Sequence, residues 1–328
     1  MSGGWRAVRR RLLTPSHNET KLSTRGFHLK DEAARTNLET VGGSFLDGYA
    51  IAVEARDQDE AHRRLELIPV RYRGFAYEGA GMGLAMLDGL PLPGNGRVAE
   101  FLAGHGAPHD YMVHVGVGWA MARLPRFRWA SIAPADPLLR WLALDGYGFH
   151  QAYFRTARYV HGHHRETAFP WPGDETRRYA GHAIDQGIGR ALWFIGGTDP
   201  AVVADLVDGY QDDRHADLWA GVGLAACYAA GATDAELRLL LERAGAYRPQ
   251  LAQGAAFAAT ARVESGLLTE HAEAATAVLC GLTPQQAVQV CTEARPRPVL
   301  DGAELPAYET WRRAIAERIV SGAAGART

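Results

Sequence analysis

Six times along the chain a glycine is followed, two residues on, by a second glycine or an alanine, in a setting of small and aromatic residues. The copies are EGAGMGLAM from Glu78, HVGVGWAMA from His114, LDGYGFHQAYF from Leu144, DQGIGRALWF from Asp185, LWAGVGLAACYAAG from Leu218 and AQGAAFAATA from Ala252. Their first glycines are Gly79, Gly116, Gly146, Gly187, Gly221 and Gly254, so the gaps are 37, 30, 41, 34 and 33 residues. A period near the length of a helical hairpin is the mark of a repeat architecture.

A glycine inside a helix costs about 1 kcal/mol relative to alanine. Its recurrence at one place in each repeat therefore needs a cause. Close packing is the plainer one: with no Cβ, a neighbouring helix comes nearer. The other is a ligand lying against bared backbone. A dinucleotide-binding reading is weaker, because no copy has the third glycine at the right offset and none follows a convincing strand.

The spacing predicts an all-α chain of about six irregular helical hairpins, either an open α-solenoid or a closed α/α toroid. Residues 1–30 read as an N-terminal arm, basic and then polar. Residues 31–293 read as the helical repeat domain, and 294–328 as a Pro-rich linker with a C-terminal helix. Within the repeat domain, Leu38, Val41, Phe45, Leu46 and Tyr49 fit one helical face. In YMVHVGVGWAMARL (111–124), Met112, His114 and Gly116 alternate with valines, so a short strand competes with a helix there. Asp136-Pro137, Asp174, Asp212-Asp213, Pro249 and Pro284 sit where helices start. Residues 161–172 read as a long loop, and Trp311, Ile315 and Ile319 mark one face of the last helix.

With 47% hydrophobic residues the 328-residue chain can bury a large core. Its formal charge of −2 makes nucleic acid a poor partner. All but Lys21 and Lys30 of its basic residues are arginine. Cys227, Cys280 and Cys291 form neither a disulfide framework nor a metal knuckle, which fits a reducing, cytoplasmic setting. No secretory signal is visible, and no apolar run is long enough for an integral membrane segment. The start, WRAVRRRLL, reads as a solvated end or a basic helix on a surface.

If the first helices of the repeats share one wall, the residues just before the glycine steps face a common space. Glu78, His114, Asp145 and Asp185 then form an acid/base set, with His150, one turn beyond Gly146, as a base or proton shuttle. Burial would raise the carboxylates towards a useful range. Tyr77, Tyr147, Phe149, Tyr153, Trp193, Trp219, Gln253 and Phe257 are the candidate walls of a substrate pocket. The competing reading makes the polar members helix caps and loop anchors. His161, His163 and His164 lack the spacing of a ligand set, and no metal is expected. There is no nucleophile elbow, phosphate loop or haem-attachment motif, and no flavin, nicotinamide or iron motif, so no cofactor is expected.

RGFAYEGAGMGLAML (73–87), YMVHVGVGWAMARLP (111–125), DPLLRWLALDGYGFHQAYF (136–154), DQGIGRALWF (185–194), DLWAGVGLAACYA (217–229) and QLAQGAAFAATAR (250–262) carry a resemblance. They resemble a bacterial family of unknown function encoded beside enediyne polyketide synthases in actinobacteria. The resemblance spans roughly residues 10–320. It implies a place in enediyne assembly or maturation, acting on a polyene-derived intermediate. It transfers no catalytic residue. An enzyme that cyclises or isomerises such a polyene without a cofactor is one expectation. A binding protein that sequesters an enediyne intermediate or product is another, and a helical scaffold that docks the polyketide synthase is a third.

Overall fold

The computed structural model describes residues 14–325 apart from 92–94, 173, 175–177 and 303–304. The basic start WRAVRRRLL lies outside the described residues. Among the described residues every regular element is helical and there is no strand. The α-helices from residue 32 onward are α1 (Glu32–Glu54), α2 (Gln58–Leu65), α3 (Val70–Gly89), α4 (Arg97–Ala103), α5 (Asp110–Met121), α6 (Trp141–Phe154) and α7 (Ala180–Ile195). They continue with α8 (Pro200–Asp208), α9 (Asp212–Ala229), α10 (Asp234–Arg243), α11 (Arg248–Glu264), α12 (Glu270–Cys280), α13 (Pro284–Ala294) and α14 (Ala307–Gly325).

Local chemistry sets half of these starts. The side chains of Asp31, Asp57, Asp199 and Thr269 accept from backbone N–H groups in the first turns of α1, α2, α8 and α12. Thr233 with Glu236, and Thr283 with Gln286, form reciprocal capping boxes on α10 and α13. Asp174 accepts from the N–H groups of Arg178, Tyr179 and Ala180 and so opens α7 from a distance. Residues 112–117, where a strand competed, are helical. Tyr111 to Met121 is buried on every side, so the helix has no polar face to reveal its period. The same holds for α3 from Gly74 to Gly89.

The long helices α1, α3, α5, α6, α7, α9 and α11 pack each against the next. The glycine steps explain how closely. A Cβ on Gly116 would overlap the carbonyl oxygen of Glu78, and one on Gly146 that of Val115. Gly187 meets Asp145 O, Gly221 meets Gln186 O and Gly254 meets Ala220 O in the same way. Each first glycine therefore receives the carbonyl that precedes the step in the helix before it. The second glycines face the helix that follows: Gly118 meets Ala143 O, Gly148 meets Ile184 O, Gly189 meets Leu218 O and Gly223 meets Leu251 O. The step is a two-sided contact that lets backbone touch backbone on both flanks of one helix. α1 has only the second glycine, Gly48, set against Ala76 O, with Leu46 in the first place. α11 has only the first, Gly254, with Ala256 in the second place. The missing glycines fall at the two ends of the series.

Further contacts join distant members of the series. The Asn37 amide of α1 donates to Ala229 O at the end of α9, 2.8 Å away. Phe75 of α3 meets Tyr228 of α9 edge to face at 5.1 Å. Arg262 of α11 donates to Arg71 O at 3.1 Å and to Tyr228 O at 2.7 Å. Tyr111 of α5 meets Phe257 of α11 at 5.8 Å. The C-terminal helix α14 packs on α11, with Trp311 donating to Cys291 O and lying 4.8 Å from the Phe257 ring. At the other terminus Leu22 and Phe27 are buried, and Phe27 meets Tyr153 edge to face at 4.9 Å. Cys227, Cys280 and Cys291 are buried free thiols.

Candidate functional site

The residues one place beyond the second glycine are Met82, Trp119, Phe149, Arg190 and Leu224, from α3, α5, α6, α7 and α9. All five line one cavity. One turn further on, Arg123, Tyr153, Phe194 and Tyr228 line it too, as the i to i+4 geometry of a helix requires. Leu38, Val41, Phe45 and Leu46 of α1 and Phe75 of α3 complete the wall, and Pro15, Glu19 and Thr20 of the N-terminal segment border it. The free space totals about 830 Å³, open solvent included. The cavity is a narrow aromatic slot. The Trp119 ring lies 4.4 Å from Phe45 and 5.1 Å from Phe149, and Phe149 stacks on Tyr153 at 5.8 Å.

A buried ion-pair cluster interrupts this largely aromatic wall. Glu78 Oε1 accepts from the Trp119 indole N–H at 2.9 Å and stands 3.7 Å from Arg190 Nη2. Arg190 Nε lies 2.7 Å from Asp145 Oδ1, an ion pair whose N–H is turned off the line of a hydrogen bond. The guanidinium also covers the Phe149 ring at 5.0 Å. Glu78, Asp145 and Arg190 are each no more than 5% exposed. Two carboxylates share one cation there, and something must give. Burial pushes Glu78 up to about 7; Arg190 opposes the rise and Asp145 adds to it. Burial also raises Asp145, against the pull of Arg190. Glu78 is thus a carboxylic acid near its midpoint at neutral pH, which is the property a proton donor and acceptor needs.

A family model described as a protein of unknown function (DUF1702) matches residues 4–319. The chain belongs to that family. No curated protein and no solved structure matches it.

In this DUF1702 member Glu78, Asp145, His150, Phe149 and Tyr153 converge on the slot or the ion pair behind it. Burial drives His150 down to about 3, so it stays neutral, and its Nδ1 has no hydrogen-bond partner. The remaining candidates sit elsewhere. His114 faces another cavity beside Asp110 and Asp136, with its Nδ1 2.7 Å from Asp110 O. Asp185 grips the Arg214 guanidinium, which also donates to His163 O and so anchors the segment after α6. Tyr77 donates to Glu66 and stacks on His109, and Tyr147 accepts from Gln151 and packs on Phe169. Trp193 donates to Ala230 O, and Trp219 is wholly buried. Phe257 packs on α14 through Trp311.

Gln253 belongs to a second cavity, bordered by α7, α9, α11 and α14. It accepts from Arg312 Nε, while Arg312 Nη1 pairs with Asp217 at 3.0 Å and with Glu309 at 2.7 Å. His182 completes that network 2.7 Å from Asp217, and this hydrogen bond raises the imidazole above its ordinary value. Among the described residues no group of three or more His, Cys, Asp or Glu side chains is placed to hold a metal ion. No helix among them is long and apolar enough to cross a membrane. Arg190 and Trp119 line the slot and are not among the residues singled out from the sequence. The signal for Arg190 was present: Met82, Trp119, Phe149, Leu224 and Phe257 hold the same place in the other steps, and only Arg190 is charged.

Proposed function

We propose that the slot binds an extended, conjugated hydrophobic molecule and that Glu78 moves a proton on it. The observation that carries this reading is a single aromatic-walled cavity containing a buried carboxylic acid held near pH 7. In an isomerisation of that kind, the Glu78 carboxylate takes a proton from one carbon, the electron pair shifts along the conjugated chain, and the same carboxylic acid returns a proton at a distant carbon. No oxidant or reductant is consumed. Burial raises Asp145, Arg190 opposes that rise, and the same guanidinium steadies the Glu78 anion while it carries the charge.

We further propose that the series of long helices closes as a toroid rather than an open solenoid. The α1–α9, α3–α9 and α5–α11 contacts support that arrangement. The resemblance to proteins encoded beside enediyne synthases supports a polyene-derived polyketide as the natural ligand. A carrier that only sequesters such a molecule is the alternative, favoured by the way Pro15, Glu19 and Thr20 border the slot.

The test incubates the protein with polyene extracted from an iterative synthase and follows the ultraviolet-visible spectrum and product masses. A changed chromophore of unchanged mass, lost in Glu78→Gln, supports the isomerase. A bound, unchanged polyene supports the carrier. Conversion that persists in Glu78→Gln removes Glu78 from the chemistry.

A further inference from the structure

Three residues that line the slot each keep a buried polar atom without a hydrogen-bond partner: Nη2 of Arg190, Oη of Tyr228 and Nδ1 of His150. Their residues are 5%, 3% and 8% exposed, so water does not compensate them freely. Leaving a buried donor unsatisfied costs about 1–3 kcal/mol, more for a charged one. Phenylalanine at 228 would avoid that cost and keep the ring. The Tyr228 hydroxyl is also tightly seated, because a Cβ on Gly74 would overlap it. The ring is held from its other side by the Arg262 guanidinium, 4.0 Å from its centroid. The phenol lies within electrostatic reach of both Glu78 and Arg190. A tyrosine and an arginine that line the slot and each keep a buried donor unpartnered thus point to an acceptor that a ligand would bring.

We infer that the ligand is not a hydrocarbon throughout: it carries a carbonyl oxygen that accepts from Tyr228 Oη and Arg190 Nη2. This rests on the reading of the slot as a polyene site and names the class, a conjugated polyenone or polyenal. A carboxylate end fits less well, because Glu78 and Asp145 already place two acids around one arginine. A neutral carbonyl brings acceptor lone pairs without adding a negative charge. It also gives the proton chemistry a handle, since hydrogen bonds to that oxygen acidify the carbons conjugated with it and stabilise the resulting dienolate.

The experiment compares two linear probes, decatetraenal and the hydrocarbon decatetraene, by quenching of the intrinsic tryptophan fluorescence. The wild type is expected to prefer the aldehyde at least tenfold and to shift its absorption to longer wavelength. Tyr228→Phe, which removes an unsatisfied hydroxyl and should fold as well as the parent, is expected to reduce the ratio of the two affinities about tenfold. Equal binding of both probes by the wild type, or an unchanged ratio in Tyr228→Phe, overturns the carbonyl inference and leaves the apolar slot intact. Binding of neither probe overturns the polyene reading and the inference together.

Discussion

Gly187 of α7 lies directly beneath the carbonyl oxygen of Asp145 in α6, with no room for a methyl group between them. The same residue whose side chain meets Arg190 thus lends its backbone to the helix contact. Position and chemistry are coupled at this point: anything that separates α6 from α7 also separates Asp145 from Arg190.

Gly187→Ala is therefore expected to destabilise the fold by about 3 kcal/mol or more, because the added carbon meets rigid backbone and not a side chain that can swing away. Gly43→Ala is the control. Gly43 is also inside a helix, but its nearest neighbour to a new Cβ is His17 Nδ1 at an ordinary 3.8 Å. Propensity alone then applies, and the substitution should stabilise by up to about 1 kcal/mol. Urea unfolding of both variants reads the opposite signs.

Glu78 sets a pH dependence. Its folded value, about 7, lies above the ordinary 4.5, so between these limits the folded chain holds a proton that the unfolded chain has released. The stability linked to this group is full below about pH 4.5, declines as pH rises towards 7 and stays lost above that. Relative to Glu78→Gln, the wild type should lose melting temperature between pH 5 and 8. Infrared difference spectra give the direct check: a protonated carboxyl band in the wild type should vanish near pH 7 and be missing from Glu78→Gln. A band that disappears near pH 4.5 would mean that the slot does not perturb this acid.

Asp185 and Arg214 form a structural clamp, and their removal should leave the slot alone. Arg214→Met strands a buried carboxylate and frees the carbonyl of His163. Destabilisation of about 3–5 kcal/mol is expected, with faster amide exchange around His163 and His164. Probe affinity in the slot should hold at temperatures where the variant is folded. A large loss of affinity would put Asp185 back into the binding machinery.

The helical class and the starts at Asp212-Asp213, Pro249 and Pro284 were legible because capping and proline chemistry are local, whereas the helices expected from Asp136-Pro137 and Asp174 begin several residues later, at Trp141 and Ala180. Asp199-Pro200, Thr233 and Thr283 each act within a few residues of themselves. The purpose of the glycines was legible as close packing. That each step has two faces was not, since it depends on which helices become neighbours. The site was half legible for the same reason. Glu78 and Asp145 stand one residue before their glycine steps, whereas Asp185 stands two before, and its carboxylate turns to Arg214. The wall itself lies one residue past the step, where the side chains are mostly apolar. In a helix buried on all sides no periodicity distinguishes a cavity wall from ordinary core.

Arg190 offers the sharpest test of the charge arrangement. It is the cation between Glu78 and Asp145, so Arg190→Met leaves both acids buried with their common partner gone. Breaking a buried pair from one side costs about 3–5 kcal/mol, whereas removing both sides is far milder. Arg190→Met alone should therefore be strongly destabilised, and Arg190→Met with Asp145→Asn should recover much of the loss. Glu78 provides the independent readout: Arg190 opposes its rise, so its infrared titration should move above 7 in the single variant. In the double variant the neighbouring carboxylate is gone as well, which removes a cause of the rise and should bring the titration back down from the single-variant value. A double-mutant cycle with no coupling, and a Glu78 titration indifferent to both changes, would show that the three groups do not act as one unit.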